Sequence, residues 1–181
     1  LLGPSYHGDV HAVWVNPANP EQVAIGTDGG LYLSADRGRS WRFVGNLPLS
    51  QFYHVSADME WPYNVYGGLQ DNATWYGPSR RGGPIGNKHW NAIVPGDGFW
   101  AFPDPSDSDL VYGEAQGGRL FRVRKSIGES KDIRPAPRQG EPKYRFNWSY
   151  PIVFSPHDPN TIYIGGNRVF KTTNEGQSWE P

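Results

Sequence analysis

Two carboxylates in glycine-rich surroundings are the residues best placed to do chemistry in this chain. Asp97 lies between Gly96 and Gly98 in PGDGFW (95–100), and Asp71 is followed by Asn72 in GLQDN (68–72). Glycine on both sides of an acid leaves the backbone free and predicts a side chain that a ligand can reach. Two acids can cleave a glycosidic bond when they face each other about 5 to 5.5 Å apart for retention, or about 6.5 to 9.5 Å apart for inversion. Asp71 and Asp97 are the first choice as acid and base, with Asp28 and Glu114 in reserve. Trp75, Trp100 and Trp148 lie in or beside the same kinds of loop. Their ring faces could stack on a sugar, while the amides of Asn72, Gln116 and Asn167 bond its hydroxyls. The competing role for each ring is packing within or between sheets.

Other chemistries find less support. His7, Asp9 and His11 form H-x-D-x-H, and alternate residues of a strand share a face, so the three could meet one metal. The pattern is short, and His11 can equally begin a buried strand, so no metal is expected. There is no cysteine, hence no thiolate chemistry and no disulfide. No glycine loop opens into a helix to cradle phosphate, and no cofactor is expected. Arg119, Arg145 and Arg168 sit in no pattern that would clasp a sialic acid carboxylate. With 17 basic and 18 acidic residues, the net charge of −1 offers nothing to nucleic acid. No apolar run approaches the roughly 20 residues of a membrane helix, so membrane insertion is not expected.

The elements that must hold these residues are strands. The 181 residues include 23 Gly and 17 Pro, which interrupt helices, and 26 aromatics (8 Trp, 10 Tyr, 8 Phe), which favour pleated surfaces. A turn rich in Pro, Asp and Asn, a short apolar strand and a glycine recur four times, in NPANPEQVAIG (16–26), DMEWPYNVYG (58–67), DPSDSDLVYG (104–113) and SPHDPNTIYIG (155–165). A second marker, SADRGRSW (34–41), returns as TTNEGQSW (172–179). In these two boxes Ser34, Asp36, Gly38, Ser40 and Trp41 match Thr172, Asn174, Gly176, Ser178 and Trp179. Both markers agree with a repeat of about four dozen residues made of several short strands, the pattern of a β-propeller. The predicted fold is therefore all-β, with four-stranded antiparallel blades near residues 10–46, 51–95, 98–143 and 147–181. About four blades of a larger ring are covered. The whole chain, 1–181, is read as one partial propeller.

The first unit predicts strands over 11–15, 22–26, 31–34 and 41–44. Each box then falls in the turn between the third and fourth strands. There an Asp or Asn side chain accepts backbone N–H groups and Gly38 supplies a positive φ, so its expected role is architectural. Loops after the second strand carry Asp28, Asp71, Gln116 and Asn167, and loops after the fourth carry residues 45–53, 95–100 and 144–151. These two kinds of loop share the face opposite the boxes. RRGGPIGNK (80–88) reads as a surface loop, and residues 125–143 as an exposed, mobile excursion.

The two boxes resemble the Asp-box (BNR) repeat of sialidases, xyloglucan-degrading glycoside hydrolases and sortilin-type luminal domains. VYGGLQDNATWYGPS (65–79), GDGFW (96–100) and the segment 155–179 are similar to large bacterial propeller proteins described as glycosyl-hydrolase-like or sortilin-like. That resemblance implies more blades than four, supplied by a longer chain or a partner subunit, and a secreted or periplasmic bacterial setting. It implies recognition of a glycan on the face away from the boxes, with hydrolysis by Asp71 and Asp97 as an extension. The alternative it implies is a non-catalytic propeller that binds peptide or protein. Hydrolysis demands two reachable acids across a groove with an aromatic floor. Binding alone predicts amides and backbone, with the acids tied into turns.

Overall fold

The computed structural model describes residues 6–47 and 49–181, in two compact units that divide between Ser50 and Gln51. The first unit is one antiparallel sheet in chain order: β1 (Val10–Val15), β2 (Val23–Thr27), β3 (Gly30–Ser34) and β4 (Arg42–Phe43). The second unit holds three more. They are β5 (Phe52–Ala57), β6 (Asn64–Leu69), β7 (Thr74–Pro78) and β8 (Asn91–Val94); β9 (Gly98–Pro103), β10 (Leu110–Ala115), β11 (Arg119–Arg124) and β12 (Glu129–Asp132); and β13 (Ile152–Phe154), β14 (Ile162–Gly165) and β15 (Val169–Thr172). An isolated bridge between Lys171 and Glu180 begins a fourth strand in the last sheet. Helix among the described residues is confined to two three-residue 3-10 turns, Asn87–His89 and Lys125–Ile127. No helix of the described residues is long and apolar enough to cross a membrane.

Each sheet is a meander of neighbouring strands, the blade geometry that the repeat predicts. In the second unit the sheets bury their faces against one another. Leu110, Tyr112 and Leu120 of the third sheet pack with Ile152, Ile162, Ile164 and Phe170 of the fourth. The opposite face of the third sheet meets the second through Tyr66, Ala101 and Val111, and through Val94, Ala115, Phe121 and Val123. Strand β10 is thus buried on both sides along its whole length, which is why LVYGEA does not alternate. Each large side chain taken fully out of water there contributes roughly 1.5–3 kcal/mol.

The excursion at 125–143 departs from expectation. Glu129–Asp132 pairs with β11 as the outer strand of the third sheet, and Ile133 is buried. Ile133 then reaches the last sheet, where its carbonyl accepts the Trp179 indole N–H at 2.6 Å and its side chain lies against Gly176.

The two boxes fold alike, each between a third strand and the residues that begin a fourth. Asp36 Oδ1 accepts the Ser40 N–H (2.8 Å) and the Ser34 hydroxyl (2.8 Å), and Oδ2 accepts the Ser40 hydroxyl (2.7 Å). Asn174 Oδ1 accepts the Ser178 N–H (3.0 Å) and the Thr172 hydroxyl (2.9 Å), while Nδ2 donates to Ser178 Oγ (2.8 Å). The amide thus replaces one acceptor by a donor, and the serine hydroxyl turns round to suit. Gly38 and Gly176 carry φ of 82° and 77°, as the turn requires. The three hydrogen bonds from Ser34 and Ser40 hold the Asp36 carboxyl down at about 2.

Candidate functional site

The first strand of each four-stranded sheet carries a register shift near its start, between Val10 and Ala12, between Phe52 and His54, and between Gly98 and Ala101. A bulge at that point turns the preceding loop and re-aims its side chains. In the third sheet the preceding loop is the one that carries Asp97.

Asp97 is not the reachable acid that its two glycines suggest. It is only 7% exposed, because its neighbours close over both oxygens. Oδ1 accepts the backbone N–H of Asp71 at 2.7 Å, and Oδ2 accepts the indole N–H of Trp148 at 3.0 Å. Its own N–H donates to Gln116 Oε1 at 3.0 Å. Trp148 in turn accepts the Gly117 N–H on its carbonyl at 3.3 Å, yet the residue is 60% exposed. One carboxylate therefore fastens together loops of three sheets.

The flanking glycines serve close approach instead of access. A Cβ on Gly98 would run into the Thr74 hydroxyl and the Ala73 carbonyl, and one on Gly68 would run into the backbone of Gly98 and Phe99. The GLQDN and PGDGFW loops are pressed backbone to backbone. Asp71 itself is half-buried, with φ of 58°. Tyr53 stands beside this pair. Burial first, then the charges of Asp97 and Asp71, push its phenol up. Tyr53 also packs on Phe99 with ring centroids 4.5 Å apart. The sequence reading passed over Tyr53; its place at the start of β5, in the loop–strand junction equivalent to Asp97–Phe99, was the available signal.

The remaining candidates are placed differently. Asn72 donates from Nδ2 to the Gln70 carbonyl (2.8 Å), and its carbonyl accepts the Trp75 indole N–H (2.5 Å), so both are engaged inside their own loop. Trp100 is packing: its ring stacks on His54 at 3.6 Å and 7°, and on Phe102 at 5.1 Å. Burial lowers the His54 imidazole. Asn167 staples the next loop, accepting the Arg145 N–H on Oδ1 (3.0 Å) and donating its own N–H to the Arg145 carbonyl (2.8 Å). In the first unit Asp28 meets His11, Oδ1 to Nε2, at 2.7 Å. The H-x-D-x-H triple does not close, and among the described residues no three His, Cys, Asp or Glu side chains converge as metal ligands.

Glu114, the reserve acid, is fully buried. Oε1 accepts the Tyr150 N–H at 2.6 Å and Oε2 the Trp100 N–H at 3.4 Å. Burial outweighs these bonds and pushes its carboxyl up to about 8. It joins the third sheet to the entry of the fourth from a position no ligand reaches.

No family model matches the sequence, and no curated protein matches it. Solved structures do. An ancestral GH74 enzyme superposes with a TM-score of 0.54 at 18% identity, over 99% of this chain and 24% of its own. The GH74 xyloglucanase of Xanthomonas campestris superposes with a TM-score of 0.50 at 17% identity, over 94% of this chain and 29% of its own. The likeness establishes the β-propeller fold. This chain spans about a quarter of the length of those proteins.

Proposed function

We propose that the loops of the second unit at the strand ends opposite its box form a glycan-binding surface, with Trp148 as its stacking platform and Asp97 as the residue that positions it. One observation carries this reading: an indole that is 60% exposed has its N–H fixed on a carboxylate that is 7% exposed. A bare ring normally keeps its freedom until a ligand arrives; here its orientation is set beforehand, which lowers the ordering cost of binding. A flat apolar face held beside amides and backbone groups suits a pyranose ring, whose C–H face stacks while its hydroxyls find Asp71, Gln116 and neighbouring backbone.

On this reading Asp97 positions the ring and does no acid–base chemistry. Both its oxygens are occupied, and a general acid must present one to the glycosidic oxygen. The surface therefore binds without cleavage by the Asp71–Asp97 pair. The GH74 likeness in fold supports a glycan as the ligand class, and the setting that follows is outside the bacterial cytoplasm, with further blades from more chain or a partner subunit. The test is titration of the protein with neutral oligosaccharides, comparing wild type with Trp148→Ala and Asp97→Asn. Weaker binding in both, about tenfold for Asp97→Asn, with no reducing sugar released by wild type, is the expected result. Unchanged affinity in Trp148→Ala would refute the reading, and saturable binding of unrelated peptides but of no saccharide would replace it with peptide capture.

A further inference from the structure

The second sheet carries a different surface at its other end. The connection from β5 to β6 projects Met59, Trp61 and Tyr63, which are 96%, 87% and 44% exposed. This loop is built, not loose. Asp58 at its base is buried and accepts the N–H groups of Glu60 (3.2 Å) and Asn64 (2.8 Å), the Asn64 side-chain amide (2.8 Å) and the Tyr66 hydroxyl (2.8 Å). Across from it the chain leaves β7 through Ser79, Arg80 and Arg81. The Ser79 N–H donates to the Tyr63 carbonyl at 2.8 Å, which pins the two walls together. Arg81 is held in turn, donating from Nη1 to the Pro84 carbonyl at 3.3 Å and contacting the His89 ring.

Between the walls lies a groove of about 490 Å³ lined by Trp61, Pro62, Tyr63, Ser79, Arg80 and Arg81. Among the described residues no carboxylate lines it. The charge of the nearby Glu60 is felt at Lys125 and Tyr66 instead. Two guanidinium groups beside an indole and a phenol, with no acid to neutralise them, ask for an anionic ligand that also has an apolar face.

We propose that this groove binds an acidic saccharide, a run of uronate units, with a pyranose ring against Trp61 and the sugar carboxylates on Arg80 and Arg81. A saccharide fits better than an acidic peptide because the exposed faces of Trp61 and Tyr63 offer flat stacking area, which a poly-carboxylate peptide cannot use. The site is independent of the Trp148 surface. It lies on the turn between the first and second strands and the exit of the third, whereas Trp148 belongs to the loops at the opposite strand ends.

The test is calorimetric titration of the full chain with an oligogalacturonate, an uncharged cello-oligosaccharide and poly-glutamate. The oligogalacturonate binds, and its affinity falls about tenfold or more when salt rises from roughly 0.05 M to roughly 0.5 M, since exposed charges are screened. Arg80→Ala/Arg81→Ala weakens it about tenfold, as does Trp61→Ala alone, while Trp148→Ala changes it less than about twofold. All four substituted residues are exposed, and circular dichroism checks that the variants fold. Oligogalacturonate affinity unchanged in Arg80→Ala/Arg81→Ala overturns the proposal. So does poly-glutamate binding as tightly as the sugar with no effect of Trp61→Ala, which would make the groove a protein-docking surface. Failure of Trp148→Ala to affect neutral sugars would bear on the other surface only.

Discussion

The carboxylate of Asp97 and the indole N–H of Trp148 are 51 residues apart in the chain and 3.0 Å apart in space. The bond joins the loop entering the third sheet to the loop entering the fourth. The acid is consumed in doing so, and the ring is left facing water.

Replacing Asp97 by Asn keeps an oxygen for the Asp71 N–H but sets an amide NH₂ against the Trp148 N–H. Two donors cannot share that line, so the indole swings away. Saccharide affinity falls about tenfold, near 1.4 kcal/mol, with little change in the unfolding midpoint. Asp97→Ala leaves two N–H groups without their acceptor and costs a further 1–3 kcal/mol or about that much in stability. Calorimetric titration and urea unfolding of the two variants separate these effects; wild-type affinity in Asp97→Asn would show that Trp148 needs no positioning.

Glu114 makes stability depend on pH. Burial raises its carboxyl from 4.5 to about 8, so the folded state favours the neutral acid. Below pH 4.5 the group is neutral in both states and its contribution is fully present. As pH rises through the window up to about 8, the unfolded chain ionises first and stability drops by roughly 3–5 kcal/mol. Glu114→Gln flattens this decline. Urea unfolding of both proteins at the two ends of the window measures it, and parallel curves would remove Glu114 as the cause.

The boxes make a matched pair of tests. Asn174 already does with an amide what Asp36 does with a carboxylate, so Asp36→Asn folds normally. Because Asp36 is held at about 2, its carboxylate stabilises the turn above its ordinary value of 3.8 and that support is lost as pH falls towards 2. Asp36→Asn lacks this acid limb. Asn174→Ala removes three hydrogen bonds and costs about 1–2 kcal/mol. Acid titration followed by circular dichroism reads the first effect, and thermal unfolding the second.

Gly98→Ala tests the backbone contact beneath the site. The added methyl meets the Thr74 hydroxyl and the Ala73 carbonyl, neither of which is the end of a flexible chain. A loss of about 1–3 kcal/mol follows, with displacement of the Asp71 and Asp97 loops. Gly82→Ala, where a methyl meets nothing, is the control. Equal midpoints for the two variants would deny the close approach.

The strands were legible because their boundaries are written in local chemistry. NPANPE, TDGG and DRGR each have turn formers where the chain reverses, and β1 to β4 start and stop within one or two residues of the expected places. The boxes were legible for the same reason. The strand β12 was hidden, since ESKD has no apolar residue and looks like solvated loop; its pairing partner β11, and not its own composition, makes it a strand. The recurring glycines mark equivalent positions: the residue before each, Ile25, Tyr66, Tyr112 and Ile164, is buried. Asp97 shows the wider lesson. Two flanking glycines announce an unusual backbone, but whether they open a side chain or let two loops touch depends on residues 26 and 51 positions away.

Ile133 belongs to the end of one sheet and supplies the carbonyl on which Trp179 of the next is hung. Cooperativity is thereby wired from neighbour to neighbour: loosening the third sheet's exit strand removes one of the ties that hold the fourth, beside their shared core, and amide exchange should rise first around Trp179. A protease nick just beyond Asp132 would then loosen the turn around Trp179 well before the core shared by the last two sheets loses its protection.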